Sequence, residues 1–269
     1  MELPVFSRLL FAVARRLPFK IEKLYVPAMG QVINRPGDSS SVFGEIFVSQ
    51  IYQPIAPLPH GATAVDLGSN VGYFTIFINQ RIKDGKIFVF EASPKAFAHL
   101  ENNISRISRK NGNTIDIHNV AICDYSGEID FMVDNTHDSN VAAAAYRDIS
   151  TFQDADHFVS IRIPCETIGH YVKGRIDFLK CDIEGAEYGV LTDELLNPAK
   201  VGQFVVEFHD IDEHRSEFDH IIETSLNRGY AIYDKKNEPV ISFDDLHRVR
   251  KELGLHSTIL KFCAKSLLN

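Results

Sequence analysis

Val65-Asp66-Leu67-Gly68-Ser69-Asn70-Val71-Gly72-Tyr73-Phe74-Thr75 carries an apolar run through two glycines into a helical pattern. The run over residues 62–67 has the length of a buried strand, and Val71, Phe74, Ile78 and Ile82 then recur at helical spacing. A strand that turns through glycine into a helix opens a βαβ unit. In an open sheet of such units the ligand lies outside the C-terminal ends of the strands. Gly68 and Gly72 let the backbone approach that ligand closely. Their Gly-x-Asn-x-Gly spacing is not the GxGxxG of dinucleotide enzymes, so the pyrophosphate rationale is missing.

The pattern repeats downstream. Strands are predicted over residues 86–90, 115–122, 176–181 and 204–208, with the last strands over 230–234 and 258–262. Ser93-Pro94 predicts a helix start, serine capping and proline at the first helical position, with Phe97, Leu100, Ile104 and Ile107 on one face. Phe218, Ile221, Ile222 and Leu226 describe another helix, stopped at Gly229. Strands alternating with helices predict an α/β fold with a mainly parallel seven-stranded sheet and helices on both faces. Residues 62–269 are expected to form this domain, and residues 1–61 a helical N-terminal extension near the mouth of the site. Residues 27–41 carry turn chemistry and are expected to link the N-terminal segment to the domain, and residues 42–52 carry a helical pattern. Residues 134–158 are long and polar enough for a substrate loop.

Composition narrows the function. With 269 residues the chain can bury one substantial core. A net charge of -8 and a pI near 5.8 disfavour attraction to a phosphate backbone, so no nucleic-acid partner is expected. Cys123, Cys165, Cys181 and Cys263 form no CxxC pair and are read as reduced thiols of a cytoplasmic protein. No apolar run reaches the length of a membrane span, and the N-terminus lacks a secretory pattern. Residues 6–23 interleave apolar residues with Arg8, Arg15, Arg16, Lys20 and Lys23. Such a helix either packs near the active-site mouth or rests on a membrane surface.

Acidic residues gather at the predicted strand ends. Asp66, just before the glycine turn, suits the ammonium of a methionine moiety. Glu91, followed by Ala92, stands where a carboxylate accepts both hydroxyls of a ribose. An NAD enzyme would want Glu91 too; Asp66 and the glycine spacing favour a methyl donor. At the fourth strand end lies Lys180-Cys181-Asp182-Ile183-Glu184-Gly185-Ala186-Glu187, where one carboxylate holds the cofactor and another orients or deprotonates an acceptor. Glu207-Phe208-His209-Asp210 follows the fifth strand. His209, Glu184 and Asp182 are the candidate general bases. Asp182 with Glu207 or His209 also offers ligands to a hard divalent ion, although no metal is assigned.

Taken in order, these motifs resemble the FkbM family of S-adenosylmethionine-dependent methyltransferases over residues 62–210. The likeness rests on the stretch from Val65 to Thr75, on Val89-Phe90-Glu91-Ala92-Ser93-Pro94, on Asn102-Asn103, and above all on the stretch from Phe178 to Glu187. The resemblance implies a Rossmann-like class I methyltransferase fold with S-adenosylmethionine as cofactor. It places Asp66, Gly68, Asn70 and Gly72 along the methionine side, with Ser69, Tyr73 and Phe74 in the same turn. Glu91 would take the ribose, Val120, Ala121 and Ile122 would frame adenine, and Asp182 would lie near the transferred methyl. The implied reaction is O-methylation of a hydroxyl on a sugar, glycan or natural product. The alternative is a noncatalytic cofactor-binding or assembly protein that keeps the same motifs.

Overall fold

A computed structural model describes residues 23–26, 31–34, 40–107, 111–134, 158–240 and 257–268. Its frame is an eight-stranded sheet. The strands are β3 (Thr63–Leu67), β4 (Lys86–Phe90), β5 (Thr114–His118), β9 (Ile176–Cys181), β10 (Val201–His209), β11 (Tyr230–Asp234), β12 (Pro239–Val240) and β13 (Ser257–Ala264). Their spatial order is β12-β11-β13-β10-β9-β3-β4-β5. From β5 to β10 every neighbour runs parallel, whereas β13 is antiparallel to β10 and to β11, and β12 is antiparallel to β11. The α/β class is as expected, but the sheet has eight strands rather than seven. The extra one is the two-residue edge β12, too short to leave a periodic signature.

Both faces of the sheet are buried because the central strands are apolar on both sides. Alternate residues point opposite ways. On one face Val65, Leu67, Leu179, Val206 and Phe208 pack against Phe218, Ile221 and Ile222 of helix α4 (Arg215–Asn227). On the other, Ala64, Val89, Phe178 and Val205 pack beneath helix α2 (Tyr73–Asn79). Phe43, Ile46, Phe47 and Tyr52 join that second cluster. The first three belong to helix α1 (Ser40–Phe43) and its wider π-type continuation Gly44–Ser49. The chain after Tyr52 is pinned to β10 by a buried clamp: Gln203 accepts the Ala56 N–H at 2.8 Å and donates to the Ala56 carbonyl at 3.0 Å.

Helix α3 (Pro94–Ser105) starts as predicted, with Ser93 Oγ accepting the Ala96 N–H and Pro94 in the first turn. It also ties down the glycine turn, because fully buried Asn103 donates from Nδ2 to the Val71 carbonyl at 2.8 Å. Removing that donor strands a buried carbonyl, at about 1–3 kcal/mol. Asn103→Ala should therefore melt several degrees below the native protein, while Asn102→Ala, at an exposed position, should not. Thermal denaturation of the pair checks this.

Three expectations are corrected. The single strand predicted over residues 115–122 breaks at Asn119, whose Nδ2 donates to the carbonyls of Glu91 and Ala92. Beyond the break, β6 (Ala121–Ile122) joins β7 (Gly127–Asp134) and β8 (Phe158–Glu166) in a separate three-stranded sheet. Second, residues 27–41 are not simply a linker: β1 (Lys23–Val26) and β2 (Gln31–Asn34) pair antiparallel, and β2 lies against α3. Third, the described residues of the extension, expected to be helical, hold the two strands β1 and β2 as well as helix α1. The helix expected within residues 6–23 lies outside the described residues except for Lys23, as does the substrate loop except for its ends, Asp134 and Phe158. Among the described residues no helix is long and apolar enough to cross a membrane.

Candidate functional site

A cavity of about 280 Å³ opens at the C-terminal ends of β3, β4, β9 and β10. Its floor is the glycine turn. Gly68 has φ +70°, and a Cβ there would sit 1.8 Å from the Asp182 carbonyl oxygen, so no other residue fits. Asn70 follows in the left-handed region at φ +51° and caps its own turn, its Oδ1 accepting the Val71 N–H. This geometry turns the Asn70 N–H onto Glu91 Oε2 at 2.6 Å, while the Ser93 N–H reaches Oε1 at 2.8 Å. Burial pushes the Glu91 carboxyl up to about 7, against the pull of the Ser93 and Asn70 N–H bonds. Two fixed donors leave the outer lone pairs of the carboxylate directed at the cavity, which suits a diol.

Gly68, Ser69, Asn70, Phe74, Glu91, Ala92, Val120, Ala121, Ile122 and Asp182 all line the cavity. Three of the residues expected along the cofactor do not. Gly72 and Tyr73 lie beneath the turn, and Asp66 is fully buried. Asp66 Oδ2 accepts from Thr75 Oγ1 at 2.6 Å, and Oδ1, without a hydrogen bond, lies 3.8 Å from Lys180 Nζ. Burial raises the Asp66 carboxyl, and Lys180 and Thr75 hold it down. The carboxylate thus sits behind the cavity surface, within ion-pair distance of Lys180.

Lys180 went unassigned in the sequence reading. Its Nζ donates to the Gly68 carbonyl at 2.7 Å and the Leu67 carbonyl at 3.2 Å, and pairs with Asp182 Oδ2 at 3.1 Å. The signal was a lysine inside an apolar strand run: a buried cation requires partners. Phe131 and Cys123 complete the wall beside Val120, Ala121 and Ile122. All four cysteines are buried, and burial pushes the Cys181 thiol well up, which removes it as a nucleophile.

The far wall combines β9, β10 and the N-terminal segment. Tyr52 donates to Glu207 Oε2 at 2.5 Å and lies 3.3 Å from Asp182 Oδ2; Glu45 lines the same wall. Burial and the nearby Asp182 charge raise the carboxyls of Glu45 and of Glu207, the latter to about 7. Neither Tyr52 nor Glu45 was singled out beforehand.

His209 does not line the cavity. Its Nδ1 lies 3.0 Å from Glu187 Oε1, and Glu187, fully buried, also accepts the N–H groups of Ile183 and Gly185. Burial alone would lower the His209 pKa, but Glu187, Glu184 and Asp182 outweigh it and bring it up to about 10. Glu184 and Asp182, the other two candidates, do line the cavity.

The chain is 26% identical over 209 residues to the AMB antimetabolite synthetase AmbE of Pseudomonas aeruginosa, which covers 64% of this chain and 10% of AmbE. Against Methyltransferase 1 of Beauveria bassiana it is 24% identical over 162 residues, 55% of this chain and 64% of that protein. The chain thus spans less than two thirds of each relative. Among solved structures, the putative methyltransferase SMU.1697c of Streptococcus mutans, in complex with SAH, aligns over 86% of this chain and 98% of its own at 12% identity and a TM-score of 0.43. The family model of the methyltransferase FkbM domain matches residues 66–232, a span that takes in the glycine turn and every strand end around the cavity, and the chain belongs to that family.

Proposed function

We propose that the chain methylates an oxygen of a small-molecule or glycan acceptor, with S-adenosylmethionine as the methyl donor. Family membership brings that cofactor. The observation that carries the reading is the division of the cavity: a glycine floor with a diol-directed Glu91 at one end, and a carboxylate wall at the other. When bound, the cofactor supplies a sulfonium methyl that the acceptor oxygen displaces in line, the C–S bond breaking as the O–C bond forms.

The chain's own residues supply the alignment on which such a displacement depends. Gly68 admits the donor to the strand end, Glu91 fixes its ribose, and Ala121 and Ile122 border its base. Asp182, anchored by Lys180, offers negative charge beside the sulfonium and ammonium. Glu45 and Tyr52 then place residues 41–52 on the acceptor side, where the N-terminal extension helps choose the substrate. The relatives' names, an antimetabolite synthetase and a fungal methyltransferase, support a small acceptor.

Calorimetric titration with S-adenosylmethionine, S-adenosylhomocysteine and NADH tests the first half. The first two should bind and NADH should not; binding of NADH alone would reverse the reading. An acceptor screen with radiolabelled methyl donor, starting from hydroxylated glycans, tests the second. Label recovered on nitrogen, sulfur or carbon rather than as a methyl ether or ester would overturn the oxygen assignment.

A further inference from the structure

Three segments far apart in sequence meet at one hydroxyl in the acceptor end of the cavity. Tyr52, 3% exposed, donates to Glu207 Oε2 at 2.5 Å, and its oxygen lies 3.3 Å from Asp182 Oδ2. Parallel pairing sets Val206 of β10 opposite Cys181 of β9, so Glu207 and Asp182 each stand one residue further along, where both line the cavity. A single phenol thus separates the two carboxylates. The segment that carries it is fixed to β10 by the clamp between Gln203 and Ala56, and the Tyr52 ring packs edge-on against Phe74.

Glu45, Glu91, Asp182, Glu184 and Glu207 are the carboxylates that line the cavity. Both oxygens of Glu91 are held by backbone N–H groups. Asp182 Oδ2 is ion-paired with Lys180 at 3.1 Å, and Glu184 Oε2 faces the His209 ring at 3.5 Å. Glu45 stands at an exposed position, in competition with water. Glu207 is arranged differently. Tyr52 holds its Oε2, while Oε1 accepts no hydrogen bond from the described residues and lies 3.8 Å from His209 Nε2, beyond hydrogen-bonding reach. A carboxylate fixed through one oxygen and open at the other is what proton abstraction in a cavity requires. Burial, Asp182 and Glu45 push this carboxyl up, His209 and Tyr52 pull it down, and it settles at about 7.

We propose, on the oxygen-methylation reading, that Glu207 takes the proton of the acceptor hydroxyl through Oε1, with Tyr52 as the residue that positions its carboxylate. As the acceptor oxygen bonds to the methyl carbon, its O–H proton passes to Glu207, and the electron pair of the breaking C–S bond stays on sulfur as a neutral thioether. Glu207 then releases the proton to solvent, which reaches its partly exposed side chain. Tyr52 keeps its own proton throughout. Burial and the charges of Asp182 and Glu207 push its phenol well up, so it remains a donor and holds the carboxylate in place.

Infrared difference spectra of the full chain without cofactor, native against Glu207→Gln, should isolate a carboxyl that ionises near pH 7; ionisation near its ordinary 4.5 would overturn the proposal. The kinetic arm uses radiolabelled methyl donor with glycerol and methyl glucoside as hydroxyl probes. Native kcat should rise through about pH 7 to a plateau. Glu207→Gln should lower kcat roughly 100-fold or more and lose that rise, with S-adenosylhomocysteine affinity, read by calorimetry, kept within about threefold as the sign of an intact cavity. Tyr52→Phe removes a bond that pulls the carboxyl down. It should therefore move the rise to higher pH while keeping most of the plateau, a shift that a folding defect does not give. A folded Glu207→Gln variant with native kcat, or with the pH rise retained, would overturn the assignment and leave the methyl-transfer reading standing. No transfer from the native chain to either probe, or label on nitrogen, sulfur or carbon, would sink that reading and the role of Glu207 with it.

Discussion

Gly68→Ala is expected to abolish cofactor binding and to lower the melting temperature by roughly 10 °C. Two costs combine. The backbone at φ +70° costs a non-glycine residue on the order of 1–2 kcal/mol. The new methyl, 1.8 Å from the Asp182 carbonyl oxygen, must also push β3 away from the turn after β9, and overpacking of this kind costs about 1–3 kcal/mol. At roughly 2–4 °C per kcal/mol for a chain of this size, the sum reaches about ten degrees. Gly72→Ala is the internal control. Its φ is +86°, but the added Cβ meets only Leu100 and Ile104 side chains at 3.5 Å, an ordinary contact. It should lose less than half as much stability. Equal losses from the two substitutions would show that the strand ends do not approach as closely as described.

The second large effect is at Glu91. Both oxygens accept a backbone N–H, and Glu91→Gln turns an amide NH₂ toward one of those donors while discharging the group that receives the ribose. Hydrogen bonds to a charged group contribute about 1.5–3 kcal/mol each, so S-adenosylhomocysteine affinity should fall roughly 10–100-fold. Calorimetry checks this directly, and a change under threefold would refute it.

A pH effect follows with a definite sign. Burial raises this carboxyl from 4.5 to about 7. Diol binding favours the ionised form, so native affinity should climb between pH 6 and pH 8, and Glu91→Gln should lose that slope. Stability runs the other way. A carboxyl whose folded pKa is raised contributes stability that is full below its unfolded value and is lost as pH rises through about 7. The cofactor-free protein should therefore shed this contribution as pH rises from about 4.5 to about 7, largely before the affinity gain is complete.

Local chemistry in the sequence specified much of this architecture. The residues predicted for β4 and β9 are those observed, and the Ser93-Pro94 start holds, because each depends on neighbours a few positions apart. The strand-end motifs likewise lead to one cavity, since parallel strands in register place their C-terminal ends side by side. What was not legible depends on distant pairing. Tyr52 reaches Asp182 and Glu207 across 130 and 155 residues, and no periodicity encodes that meeting. The break at Asn119 was hidden because apolar residues recur on both sides of it, Ile115 and Ile117 before and Val120 to Ile122 after, and nothing local marks a strand that changes sheets. His209 was read by its ordinary pKa, whereas its chemistry is set by Glu187 and Glu184, which only the folded turn brings alongside.

The place of β13 bears on how the protein is made. It lies between β10 and β11, although it follows both in the chain. While a ribosome is still adding residues 235–256, β10 therefore offers an unpaired edge with Val206 and Phe208 on it, and β11 cannot yet dock. Open edges of this kind recruit other chains. Protection of that edge falls to the final segment, through seven paired positions from Gln203↔Cys263 to His209↔Ser257. Nascent chains stalled before residue 257 should accordingly be the chaperone-dependent, aggregation-prone species, and release of residues 257–264 the event that closes the fold.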